Sequence, residues 1–182
     1  MAVLPILTVP NQILRKKCHR VTGIDKSVKK LIADMIETLH AEEGRAGLAA
    51  PQVGHALRIT VINVPEHEGD LVLINGEIAR RKGERVISEG CLSIPGYTGL
   101  VKRAESVTVK GLDANGKEIR IKAEGLLSQA LEHELDHLNG VLYIDKLDSK
   151  ESFRKIEPED IEAPEPDEED PGPSEEDNEP SK

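Results

Sequence analysis

Gly125–Gly140 reads GLLSQALEHELDHLNG, and the rest of the chain is interpreted around it. The run reads as one helix carrying His133-Glu134-Leu135-Asp136-His137, an H-E-x-x-H pattern. Residues four apart lie about 40° from one another around a helix of ~3.6 residues per turn, so the two imidazoles share a face. Two neutral imidazoles at that spacing can hold one metal ion, with the intervening Glu in reach of a water at the ion. The plain alternative is a polar helix face that happens to contain two histidines. The surroundings have to decide between them.

Charge is distributed very unevenly. Glu157–Lys182 holds 13 Asp/Glu against one Lys, a net of −12, whereas the whole chain of 182 residues carries −10. The body, Met1–Ile156, is therefore slightly cationic at +2, and the pI near 5 describes a tail. That tail has six of the 11 prolines and little apolar material, so residues 157–182 are expected to be disordered. Residues 1–156 are enough for one domain with its own core. With no Trp, one Phe and two Tyr, that core must be aliphatic.

No run approaches 18 apolar residues, so no membrane span is expected. The N-terminal MAVLPILTVPNQILRKK has no charged segment ahead of its apolar part and reads as no signal or transit peptide. Two cysteines, Cys18 and Cys91, suggest no disulfide framework, and a cytoplasmic setting with free thiols follows. No sequence-specific nucleic-acid partner is expected.

The spacing of Val28, Leu31, Ile32, Met35, Ile36 and Leu39 predicts a helix over Asp25–Glu43. Asp25 or Ser27 can cap its start and Gly44 can end it. Next comes GRAGLAAPQVG at Gly44–Gly54, a stretch of small residues that allows close backbone approach to a ligand or another strand. Gln52 is its one side chain offering both a carbonyl and an NH2 group. Strands are predicted at Leu57–Val64, Leu71–Ile74 and Glu77–Arg81, the last two joined by an Asn75-Gly76 hairpin turn. Ser106–Leu112 and Glu118–Ala123 form a second predicted hairpin. Pro95 should end the strand that holds Ser88–Ser93. Val141–Leu147 is expected to be a short exit strand or turn, and Ser149–Ile156 a final helical turn or two. A helix, several antiparallel strands and a second helix make an α+β fold. Within it Cys91 is either buried and inert or a thiolate suited to a borderline-soft metal held by two histidines. Cys18 reads as a packed bystander.

Three segments in order, GLAAPQ at Gly47–Gln52, EGCLS at Glu89–Ser93 and HELDH at His133–His137, resemble the three signature motifs of the peptide deformylase family. The resemblance spans residues 4–148 and implies that family's fold of antiparallel sheets packed around the H-E-x-x-H helix. It also implies removal of the formyl group from N-formylmethionine on nascent polypeptides. It makes Cys91, His133 and His137 the metal ligands, with ferrous iron as the usual ion and zinc, nickel or cobalt as substitutes in the same site. Three ligands leave a fourth position open, as catalysis requires. Glu134 becomes the general base and acid, and Gln52 and the Leu92 backbone N–H become oxyanion donors. Ala46 and Gly47 would pair with the substrate backbone. Ile87, Leu126, Gln129, Ala130 and His133 would build the methionine pocket, Gln129 contributing its methylenes as a wall. Glu89 and Arg103 form a supporting pair.

Two departures from the family stand out. Arg45 replaces a usual Gly two residues before Gly47. The acidic tail stands where bacterial members commonly carry a basic helix, used in some to dock on the ribosome. The tail either opposes docking on ribosomal RNA by phosphate repulsion or serves only solubility. Two other functions remain in view: a zinc peptidase, whose third ligand would follow His137 at Glu151 or later, and a formyl-peptide-binding module on an inactive scaffold.

Overall fold

The computed structural model describes residues 2–157; the acidic tail expected to be disordered lies outside the described residues from 158 onward. The first helix, α1, spans Lys26–His40. Asp25 caps it, its carboxylate accepting the backbone N–H groups of Ser27 and Val28 at 2.9 Å each. It ends a turn earlier than its periodicity suggests. The Arg45 guanidinium donates to the Thr38 carbonyl at 2.6 Å and closes that end instead.

Five strands form an antiparallel sheet in the order β1-β2-β3-β6-β7: β1 Gly47–Ala49, β2 Ile59–Ile62, β3 Leu71–Lys82, β6 Ser106–Leu112 and β7 Glu118–Glu124. Three more, β4 Arg85–Cys91, β5 Ile94–Arg103 and β8 Arg154–Lys155, form a smaller sheet in that order. The second helix, α2, spans Gly125–His137. Side chains alternate across the strands, so the large sheet has two apolar faces. Leu48, Ile59, Val61, Val72 and Ile74 pack under α1. Ile62, Leu73, Val107 and Val109 pack against Leu127, Leu131 and Leu135 of α2. The sheet thus lies between the helices, and the architecture is α+β as expected. The aliphatic stripe of α2 is what holds its polar face in a fixed position. The small sheet packs through Ile94 and Val101 on Leu142 and Tyr143, which follow α2.

Three local expectations differ. Asn75-Gly76 is no hairpin turn; it is a bulge inside the continuous strand β3, with the register against β6 shifting between Ile74 and Glu77. The cause is a long-range contact. The buried Asn75 amide accepts from Val21 N–H and donates to Val21 C=O, both at 2.8 Å, which holds Asn75 at φ 55° within the sheet. Pro95 does not end a strand, because it occupies the second position of β5, where a missing donor is tolerated. After α2 the expected turn is a 3-10 turn at Tyr143–Lys146 and the expected helical turn another at Lys150–Ser152, but Arg154–Lys155 departs from the expected helix and adds to β5 as a strand. The Ser106–Leu112 hairpin is found as predicted, paired with Glu118–Glu124. Cys18 is packed, and burial pushes its thiol up to about 11.

Asn75→Ala should strand both Val21 backbone groups and leave a β-carbon at positive φ, costing about 3 kcal/mol in urea unfolding. Asn75→Gly strands the same two Val21 groups but carries no β-carbon at positive φ, and should cost less. Equal losses for the two would place the whole effect in the hydrogen bonds.

Candidate metal centre and active site

α2 leaves β7 through Gly125, at φ 58°, and Glu66 accepts the Leu126 N–H at its first turn. Across its last turn, His133 and His137 project together, their rings 5.0 Å apart at 73°. Cys91 arrives from the end of β4, where a register shift between Gly90 and Cys91 turns the strand. Its Sγ lies 3.3 Å from His137 Nε2. The ligand atoms of Cys91, His133 and His137 all fall within 4.8 Å of one another.

This donor set fits a divalent ion. A thiolate with two imidazoles suits a borderline-soft cation. Glu89 Oε2 holds His133 Nδ1 at 2.9 Å, which commits that nitrogen and leaves Nε2 for a metal. Burial, then the neighbouring His133 and Arg103 charges, hold His137 below its ordinary pKa, so it stays neutral and able to ligate.

Gln52 stands beside the thiol on a 3-10 turn after β1. Its Oε1 accepts from Ala49 N–H at 2.8 Å, and this fixes which way the amide faces. Its Nε2 then donates to Ser93 Oγ at 3.2 Å and lies 3.7 Å from Cys91 Sγ. Glu134 is 4 % exposed, and its Oε2 has no hydrogen-bond partner among the described residues. Burial pushes its pKa up to about 7. Gly47 faces it so closely that a β-carbon there would sit 2.5 Å from Glu134 Oε1. Any larger side chain there would have to displace the Glu134 carboxylate.

Behind His133 lies a buried ionic cluster. Arg103 donates Nε and Nη2 to Glu89 at 2.7 and 2.8 Å, and Nη1 to Asp136 at 2.6 Å. Burial works against the Glu89 charge, but hydrogen bonds from Arg103 and His133 hold its pKa at about 2.

A cavity of about 660 Å³ opens over these groups. Ala46 and Gly47 line one wall, and Leu126, Gln129 and Ala130 line another; Gln52, Leu92, His133 and Glu134 reach it too. The Gln129 amide donates to Ser88 C=O at 3.2 Å, so its stem faces the cavity while its polar end is tied to β4. Ile87 is not among the lining residues. It packs against the cluster of Leu14, Ile94 and Val101, on the face of β4 that it shares with Glu89 and Cys91.

The family model for polypeptide deformylase matches residues 3–153. The chain belongs to the polypeptide deformylase family. It is 52% identical over 165 residues to the peptide deformylase of Dehalococcoides mccartyi, covering 91% of this chain and 98% of that one. It is also 52% identical over 147 residues to the peptide deformylase of Halothermothrix orenii, covering 81% and 95%. Among solved structures, the Legionella pneumophila peptide deformylase matches with TM-score 0.78 at 45% identity, covering 83% and 89%. The Synechococcus elongatus enzyme in complex with actinonin gives TM-score 0.78 at 39% identity, covering 84% and 82%. The chain is accordingly an enzyme of a metal-dependent family that removes the formyl group from nascent peptides.

For this deformylase, the sequence assigned no role to Ser93, Asp136 or Lys146. Ser93 pins the Gln52 amide and sends its own N–H to Cys91 Sγ at 3.4 Å. Asp136 joins Arg103 to Lys146, whose Nζ lies 2.8 Å away. The signal for Asp136 was available: it flanks the apolar stripe of α2, and a half-sequestered acid needs a cation. Arg45 lines the cavity, yet its Nη atoms are committed to Thr38 C=O and to Glu42 at 2.8 Å.

Gly47→Ala should push Glu134 aside and lower kcat/KM roughly hundredfold while bound metal stays at parent stoichiometry. Parent-like turnover would mean that Glu134 can retreat without consequence.

Proposed function

We propose that this chain hydrolyses the formyl amide of N-formylmethionyl peptides, with Cys91, His133 and His137 as metal ligands and Glu134 as the proton carrier. One observation carries the reading: the three donor atoms converge within 4.8 Å beneath a cavity whose walls include Glu134 and Gln52. Ferrous iron is the proposed resident ion. Its support is the family resemblance and a sulfur-and-imidazole donor set that equally accepts zinc, nickel or cobalt. A bound divalent ion supplies Lewis acidity and makes water in the site more acidic.

The protein's own groups do the rest. Glu134 takes a proton from the water that adds to the formyl carbon, and returns it to the departing amine nitrogen. Formate and a free N-terminus result. The Gln52 Nε2 group and the Leu92 backbone N–H stabilise the oxyanion; the amide contact from Ala49 supports that role by orienting Gln52 before substrate arrives. β1 has β2 on one side and no other strand among the described residues, so Ala46 and Gly47 offer an edge to an extended peptide. Leu126, Ala130 and the Gln129 stem form an unbranched apolar wall for methionine. Glu89 and Arg103 orient His133. Nascent chains as substrate support a cytoplasmic setting. Ribosome docking through the tail falls outside the described residues.

The alternatives lack support. Glu151, the nearest acid for a peptidase-type third ligand, lies on the turn after Ser149 and outside the Cys91–His133–His137 group. A mere binding module would have no use for the intact Glu134 and Gln52.

Anaerobically prepared, metal-loaded protein should release one formate per formyl-Met-Ala-Ser consumed. Glu134→Ala should keep its metal and lose about 10²-fold or more in kcat. Absence of formate from fresh parent enzyme refutes the activity, and parent-like turnover in the variant removes Glu134 from its role.

A further inference from the structure

Five side chains make one unbroken line from the surface to His133. Lys146 Nζ meets Asp136 Oδ1 at 2.8 Å, Asp136 Oδ2 meets Arg103 Nη1 at 2.6 Å, and Arg103 grips Glu89 at 2.7 and 2.8 Å. Glu89 Oε2 ends the line on His133 Nδ1 at 2.9 Å. The Arg103 and Glu89 side chains are 1 % and 2 % exposed, whereas Lys146 is 34 % exposed. The outer end is therefore in water and the inner end is not.

The charges alternate, and their balance matters. Arg103 alone faces two carboxylates, so without Lys146 the group carries one net negative charge. Lys102, beside Arg103 on β5, pairs with Asp148 at 3.3 Å and lies 3.9 Å from Glu84. Lys146 is also held in place. It closes the 3-10 turn whose first residue, Tyr143, is 1 % exposed, and the Asp145 beside it accepts the Leu142 N–H at 2.9 Å.

We propose that Lys146 is a positioning residue that sets, from the protein surface and through Asp136, Arg103 and Glu89, how strongly His133 donates to the metal ion. The inference rests on the ligand assignment made above. By holding Asp136, Lys146 leaves the two-pronged side of Arg103 on Glu89 and limits how far Glu89 draws the His133 Nδ1 proton. Loss of the Lys146 charge makes the surroundings of the ion one unit more negative. A divalent cation is then held more tightly and polarises its substrate less. A purely structural Lys146 would act with the opposite sign, because a loosened turn loosens the site.

The test uses the full chain loaded with Co(II), its affinity measured by chelator competition at low ionic strength. Lys146→Met and Lys146→Gln should each bind the metal on the order of threefold more tightly than the parent. Both should lower kcat by a similar factor at unchanged KM, and shift the cobalt absorption bands. Lys146→Arg should restore parent values. Metal held equally or more loosely by the folded Met and Gln variants overturns the proposal. A parent protein whose cobalt spectrum lacks thiolate charge-transfer absorption would overturn the ligand assignment, and the proposal with it.

Discussion

The Arg103 guanidinium, held between Glu89 and Asp136, is the contact on which the site depends. It joins β5, β4 and α2 at one point, and its side chain is 1 % exposed. A buried ion pair adds little net stability, but removing one partner is costly, on the order of 3–5 kcal/mol, because the other charge is left uncompensated. The cluster therefore serves less as glue than as a template. Glu89 must sit where Arg103 holds it, and His133 must turn its Nδ1 toward Glu89. The orientation of one metal ligand follows from that sequence of contacts.

The apolar framework makes such a polar centre affordable. Leu127, Leu131 and Leu135 dock α2 on the large sheet, while α1 covers the opposite face. With its apolar stripe docked on the sheet, α2 holds His133, Glu134 and His137 without the freedom they would have on a solvated helix. Close backbone approach completes the arrangement. Gly47 lets β1 pass against Glu134. Small residues that look like plain packing in the sequence are what allow a strand edge to run beside the reacting groups.

Much of this was legible in the residues. The 3.6-residue periodicity identified α1, because its apolar stripe runs unbroken from Val28 to Leu39, about three turns. The H-E-x-x-H spacing put two ligands on one face without any knowledge of the fold. Cys91 was different: it lies 42 residues before His133, and only the family resemblance or the folded chain brings the two together. Asn75-Gly76 misled, since local turn chemistry cannot reveal that Val21, 54 residues away, will satisfy the Asn75 side chain. Ile87 was placed in the methionine pocket by resemblance; it shares the β4 face of Cys91 and packs against the Leu14 and Val101 cluster, outside the cavity lining. Lys146 escaped notice because a lysine after a helix ordinarily reads as a solvated end. Periodic and closely spaced features survive in sequence, whereas contacts across many tens of residues do not.

The central claim is that a thiolate and two imidazoles together hold the catalytic ion. X-ray absorption at the metal edge of the loaded, anaerobically prepared protein tests it most directly. The account predicts a shell with one sulfur, at ~2.3 Å for zinc, and two imidazole nitrogens at ~2.0–2.1 Å. A shell of nitrogen and oxygen without sulfur would contradict it, because Cys91 would then be a packed thiol and the ion would be held elsewhere.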